Sequence, residues 1–266
     1  MLRARLATAA VALPALFWLI FVGPLWAFSG FIVAVTAIGL LEFVTMAAPD
    51  RRLTQSYTIT VGLALAATVI RHRTDSLGLV LAASLAAGLV LALADPDLRG
   101  AVDRLAHSLL GAIYVGFLLP HVVRLQALPE DGPRWVFFVI ACIMAGDTAG
   151  YFGGRWRGKT KLFPRVSPNK TVEGAVASMS GSLLLAGLCA WLLPPAGLTL
   201  GTALGLGFVI GILGMVGDLI ESMFKRAYDT KDSGWIFPGH GGVLDRTDAL
   251  VLPFVFTYYW NTGLGV

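Results

Sequence analysis

Charge is what this sequence has least of. Asp, Glu, Lys and Arg make up 14% of its 266 residues, whereas a soluble domain carries about 25%. With 56% hydrophobic residues, a soluble fold would need more core than its polar surface can cover, and the composition points to a multi-span membrane protein. Cysteine is also scarce. Cys142 and Cys189 both lie in apolar runs, which excludes a disulfide framework and a thiolate metal site. The formal net charge of +4 is modest, and no nucleic-acid partner is expected.

Long apolar runs, by contrast, fill the chain. They fall at 6–22, 25–47, 56–70, 77–94, 106–123, 134–152, 173–193, 199–217 and 247–263. Backbone groups in lipid must be satisfied within the chain, so each run reads as a helix. The expected fold is all-α: a polytopic transmembrane helical bundle of eight or nine spans, with the third run short for a full crossing. It forms a single integral membrane domain over 1–266, in which 1–133 supplies N-terminal spans and 134–266 carries the chemistry. The basic start and small residues of MLRARLATAAVALPALFWLIF suit a signal peptide, but the segment is read as a retained first helix. Nine spans with the N-terminus cytoplasmic leave only Arg71, Arg73, Arg124 and Arg134, of 20 Lys and Arg, on the outer face. That bias places the polar loops 153–172 and 225–246 together in the cytoplasm, the inner membrane of a bacterium being the expected site. Gly201/Gly205 and Gly207/Gly211 have the small-xxx-small spacing of close helix contacts; such small-residue faces also allow a homodimer.

Three stretches carry polar groups that lipid burial alone does not explain. In GDLIESMFKRAYDTKD (217–232), helical spacing puts Asp218, Glu221, Ser222 and Lys225 on one stripe. Acids at a membrane boundary are costly and point to function, and two carboxylates three residues apart suit a hard cation that also holds phosphate. In PGHGGVLDRTD (238–248), Asp245 and Asp248 repeat that spacing. Gly239, Gly241 and Gly242 admit close backbone approach to a ligand, His240 can donate to phosphate or carry a proton, and Arg246 can clamp a phosphate. In GDTAGYFGGRWRGKTKLFPRVSPNKTVEG (146–174), Asp147 sits near the end of an apolar run and Glu173 closes the string at the next membrane boundary. Residues 153–160, GGRWRGKT, fit the P-loop pattern, but a membrane helix precedes them and KLFPRVSP follows, so the strand-to-helix context that the motif needs is missing.

The 27 residues S-M-F-K-R-A-Y-D-T-K-D-S-G-W-I-F-P-G-H-G-G-V-L-D-R-T-D (222–248) resemble the signature of the phosphatidate cytidylyltransferase (CDP-diacylglycerol synthase) family at every fixed position. The string S-P-N-K-T-V-E-G (167–174) matches a second family motif, and the polytopic layout covers the whole chain. The chain departs from the family at Gly150-Tyr151-Phe152 and at Arg157-Gly158.

The resemblance implies a reaction in which CTP and phosphatidate give CDP-diacylglycerol and pyrophosphate for phospholipid biosynthesis. It also implies Mg2+ or another hard divalent cation, with room for a second cation. Asp218 and Asp245 are the leading metal ligands, with Glu221, Asp147 and Asp248 as further candidates. Lys225, Arg226, Lys231 and Arg246 are expected to hold the phosphates of CTP and pyrophosphate, and His240 to hydrogen-bond a phosphate. Ser167, Lys170, Thr171, Glu173, Gly241 and Gly242 are expected to meet nucleotide or lipid phosphate. Two alternatives stay open: a CTP-dependent lipid kinase of the polyprenol or phytol type, and a transporter, for which acids would be expected near mid-span. The D-G-x2-A-R-x8-G-x3-D-x3-D motif of CDP-alcohol phosphotransferases is absent.

Overall fold

The computed structural model describes residues 14–234 and 241–264. His240 and Gly239, and residues 6–13 of the first expected span, lie outside the described residues. The described part of α1 covers 14–21, and Gly23-Pro24 separates it from α2 (Leu25–Ala47), whose N-cap is Pro24. There follow α3 (Arg52–Ile70), α4 (Thr74–Leu93) and α5 (Leu98–Gly111). The last runs on as a π-helical stretch, Ala112–Leu118, just ahead of Pro120, which lacks the N–H that would continue the α-helical ladder. Then come α6 (His121–Gln126), α7 (Gly132–Arg157), α8 (Val172–Leu192), α9 (Leu200–Ala227) and α10 (Leu244–Tyr259).

Seven helices among the described residues are long and apolar enough to cross a membrane, so the chain is an integral membrane protein built as a polytopic helical bundle. The third expected span is full length: α3 begins at Arg52 and has 19 residues. Its polar first turn, Arg52-Leu53-Thr54-Gln55, had hidden that start. The last expected span is the weaker one. Its α-helical part, α10, has 16 residues and contains Pro253, and it continues as a π-helical turn, Trp260–Leu264.

The polar segment after α7 is a small antiparallel hairpin, β1 (Lys161–Phe163) and β2 (Ser167–Thr171), with Lys161 opposite Thr171 and Phe163 opposite Ser167. Its turn is written in the sequence. Pro164 holds the second position, and Val166 N–H donates to Phe163 O at 3.1 Å. Thr171 ends the hairpin and caps α8, accepting from Gly174 N–H at 3.1 Å.

Two of the three apolar clusters among the described residues pack around the site. The larger joins Ile20, Phe28, Val122, Phe138, Cys142, Ala186, Ile210 and Phe254. The smaller joins Leu40, Phe43, Tyr114, Val115, Phe224 and Leu244 and so packs α2 and the π stretch beneath the end of α9. The α7–α8 seam is very close, and a methyl at Gly150 would meet Ser178 Cβ at 3.1 Å and Gly174 O at 3.3 Å. Small residues in α9 split in their use. Gly207 and Gly211 pack on α8 residues, whereas a methyl at Gly201 or Gly205 would meet nothing within 4 Å.

Candidate active site

The stripe Asp218–Glu221–Lys225 on α9 points into the protein. Glu221 is 1% exposed, and Met223 on the other side is 46% exposed. The amphipathic pattern is thus the reverse of a water-facing charged stripe: in lipid, the apolar face is the outer one. Lys225 pairs with Glu221 one turn earlier and reaches Asp245 Oδ1 in the first turn of α10 at 2.6 Å. The three side chains are 15%, 2% and 13% exposed.

Asp245 carries the densest set of hydrogen bonds in the site. Its Oδ2 accepts from Gly242 N–H at 2.7 Å, Ser233 Oγ at 2.8 Å and Ser233 N–H at 3.0 Å. Burial pushes this carboxyl up, but the bonds from Lys225, Gly242 and Ser233 outweigh that and hold it well below the usual carboxylate range. Gly241 has φ +77°, and a side chain there would strike the Asp245 carboxylate. The glycines of the loop therefore make room for carboxylates of the chain itself.

A second group lines a cavity of about 690 Å3, within the range of small-molecule sites. α7 contributes Asp147, Tyr151 and Arg155, and the hairpin contributes Ser167, Asn169, Lys170 and Thr171. Ser178 comes from α8, and Asp218 from α9. Lys170 on β2 pairs with Asp218, and Ser222 Oγ donates to Asp218 Oδ1 at 3.5 Å. Asp218 is close enough to interact electrostatically with Asp147 and with Asp248. Asp248 is 9% exposed, and its Oδ1 accepts from Ala249 N–H at 2.8 Å.

Not every expected site residue joins these groups. Glu173 turns from the cavity and accepts from the N–H groups of Lys159 at 3.1 Å and Thr160 at 3.2 Å. This also disposes of the P-loop pattern. Gly153 to Arg157 are helical, and the two amides beyond them are already bound to a carboxylate. Gly241 and Gly242 lie beside Asp245 and do not line the cavity. Arg226 and Lys231 are exposed, and so is Arg246. Two residues are additions. Glu42 on α2 is 4% exposed and accepts from Val243 N–H and Leu244 N–H, each at 2.9 Å. Ser233, 3% exposed, sits between Glu42 and Asp245. Glu42 had a signal, since it is an acid inside an apolar run of the same kind as Asp147.

Among the described residues, no three His, Cys, Asp or Glu side chains are grouped as a ready metal cage. The donor chemistry nevertheless fits a hard cation. Asp147 and Asp248 lie within electrostatic reach of Asp218; Glu221 and Asp245 meet at Lys225; and Glu221 Oε1 is buried without a hydrogen-bond partner among the described residues. Such an excess of enclosed carboxylate favours a cation of oxygen-ligand preference.

The chain is similar to known proteins over most of its length. The family described as the cytidylyltransferase family matches residues 3–262. A protein named phosphatidate cytidylyltransferase from Synechocystis is 36% identical over 96% of this chain and 95% of its own length. Its namesake in Bacillus subtilis is 38% identical over 59% of this chain and 58% of its own. One from Brucella suis is 39% identical over 57% and 55%. A match that runs almost from end to end, through both polar groups just described, makes the chain a member of the cytidylyltransferase family.

Proposed function

We propose that the chain transfers the cytidylyl group of CTP to phosphatidate, giving CDP-diacylglycerol and pyrophosphate for phospholipid synthesis. The observation that carries this reading is where the 222–248 signature folds. Its Lys225 and Asp245 close on Glu221, one helical turn from Asp218, which with Lys170 forms part of the wall of the cavity of about 690 Å3.

Both reactants are polyanions, so the chain must supply positive charge and fixed geometry, and catalysis is mostly positioning and charge stabilisation. An oxygen of the phosphatidate monoester attacks the α-phosphorus of CTP. A new P–O bond forms, the bond from that phosphorus to the bridging oxygen of the β-phosphate breaks, and pyrophosphate leaves with the electron pair. The monoester is already anionic, so no protein base is needed. Lys170, Ser167 and Thr171 are assigned to phosphate at the cavity wall, and Lys225, Arg226, Lys231 and Arg246 to the triphosphate and the departing pyrophosphate. His240 is assigned a hydrogen bond to phosphate. Asp218, with Asp147, Asp248, Asp245 and Glu221 as further donors, would hold Mg2+ or a similar divalent ion, which when bound neutralises triphosphate charge. The Lys and Arg distribution supports a cytoplasmic N-terminus and cytoplasmic catalytic loops in a bacterial inner membrane.

Purified protein given phosphatidate, Mg2+ and labelled CTP tests the reading. Label from the α-phosphate is expected in the lipid. Label from the γ-phosphate alone would establish the lipid kinase instead, and CTP-independent solute flux in proteoliposomes would support a transporter.

A further inference from the structure

We infer that Glu42, on a helix of the N-terminal half, is a positioning residue for the catalytic loop: it fixes the start of α10 and, through Ser233, the placement of Asp245. Three independent features point to it. First, the start of α10 has no cap of its own. Its N-cap residue is Val243, and no local side chain accepts from the first turn. The orphan amides of a helix start need acceptors, and Glu42 supplies them from α2, taking the N–H groups of Val243 and Leu244 at 2.9 Å each. A carboxylate at that end also meets the positive pole of the helix.

Second, Ser233 joins this cap to the site. Its hydroxyl lies 2.8 Å from Asp245 Oδ2 and 3.4 Å from Glu42 Oε2, and Asp245 N–H donates to Ser233 Oγ at 3.4 Å. A hydroxyl has one proton to donate. The shorter distance gives that proton to Asp245, and Glu42 limits where the hydroxyl can stand.

Third, the loop is built around the Glu42 carboxylate. A methyl at Gly242 would lie 2.5 Å from both of its oxygens, and one at Gly234 would lie 2.7 Å from its Cδ. Gly234 and Gly242 thus leave space for one side chain more than 190 residues earlier. The cost of burying a carboxylate at 4% exposure is offset by charge-assisted bonds that hold Val243 and Leu244 in one place.

The inference rests on the cytidylyltransferase reading for its kinetic part but not for its structural part. The test compares wild type, Glu42→Gln, Glu42→Ala, Ser233→Ala and the Glu42→Gln/Ser233→Ala double variant in detergent. Amide hydrogen exchange at Val243 and Leu244 is expected to rise about tenfold or more in Glu42→Gln. At the same time kcat for α-label transfer should fall about 10- to 100-fold, with KM for CTP changed less than about threefold. The double variant should be little worse than the poorer single variant, because both act through Asp245. A purely structural Glu42 would lower the melting temperature and leave kcat per folded molecule unchanged, and that outcome overturns the inference. Unchanged exchange at 243–244 overturns it too, as do losses that multiply in the double variant. Should Glu42→Ala fail to fold, the isosteric Glu42→Gln carries the comparison. A wild type that transfers no cytidylyl group overturns the proposed function alone, and the exchange result still judges Glu42.

Discussion

Lys225 Nζ stands 2.6 Å from Asp245 Oδ1 while it pairs with Glu221 on its own helix, so one ammonium group bridges two enclosed carboxylates from α9 and α10. Removing one member of a buried ionic group leaves the others uncompensated. Lys225→Ala should therefore lose about 3–5 kcal/mol of stability as well as activity. Adding Glu221→Gln removes one of the stranded charges and should recover part of the stability but none of the transfer. Chemical or thermal unfolding in detergent, run beside the labelled-CTP assay, separates the two effects. A Lys225→Ala protein as stable as wild type would show that the bridge carries little energy.

The bundle was legible because lipid imposes a length and a composition on every crossing, and both survive in a single sequence. The charged stripe was legible for a similar reason: Asp218, Glu221 and Lys225 repeat at helical spacing. Which way that stripe faced was not, since periodicity gives a face and not its environment. Glu42 stands out as an acid in an apolar run, as Asp147 does, but what it does was hidden because its partners are amides 201 and 202 positions later. Backbone donors leave no trace in side-chain patterns. The glycines of 239–242 read as room for a ligand, yet Gly241 and Gly242 make room for Asp245 and Glu42. From sequence alone, the two kinds of close approach look the same.

The Lys170–Asp218 pair should behave differently from Lys225. Its side chains are 26% and 37% exposed, so solvent screening leaves the pair worth less than about 1 kcal/mol. Both groups line the cavity, and in the proposed reaction Lys170 meets phosphate directly. Lys170→Ala is expected to melt near the wild-type temperature while kcat/KM falls about 100-fold. A loss of stability without a loss of activity would take Lys170 out of the substrate site and leave it as a tie between hairpin and α9.

The state of Asp245 sets a pH dependence of known sign. Its carboxyl is held below its ordinary value of 3.8, so the folded protein binds this proton less readily than the unfolded chain does. Its contribution to stability is present above that ordinary value and is lost as the pH falls through the lower folded value. Melting temperature followed from about pH 5 down to about pH 2 should drop more steeply in wild type than in Asp245→Asn, which has no such proton to take up. Equal slopes would mean that the bonds from Lys225, Gly242 and Ser233 do not favour the ionised form.

Two glycine substitutions should move stability in opposite directions. Gly242→Ala places a methyl 2.5 Å from the Glu42 oxygens and should cost about 1–3 kcal/mol through forced displacement of the loop. Gly201→Ala adds a methyl that meets nothing within 4 Å inside a helix and should gain up to about 1 kcal/mol from helix propensity. Matched unfolding curves decide both, and a neutral Gly242→Ala would show that the carboxylate can step aside.

Chelation tests the charge excess itself. Among the described residues, Asp218, Glu221 and Asp245 are paired with two lysines, Asp147 and Asp248 lie near Asp218, and a triphosphate would add further negative charge. Activity should vanish after dialysis against a chelator and return with Mg2+. Ca2+ should restore it poorly, since its larger radius and looser geometry suit an in-line phosphoryl site less well. The concentration of Mg2+ giving half-maximal activity should rise about tenfold or more in Asp218→Asn, because a carboxylate ligand is lost while the cavity shape is kept. The same substitution removes the partner of Lys170, so Lys170→Ala serves as the control. If both variants raise the Mg2+ requirement equally, Asp218 acts through its ion pair and the ligand assignment falls. If only Asp218→Asn raises it, the carboxylate would be a ligand of the ion, independently of its pair with Lys170.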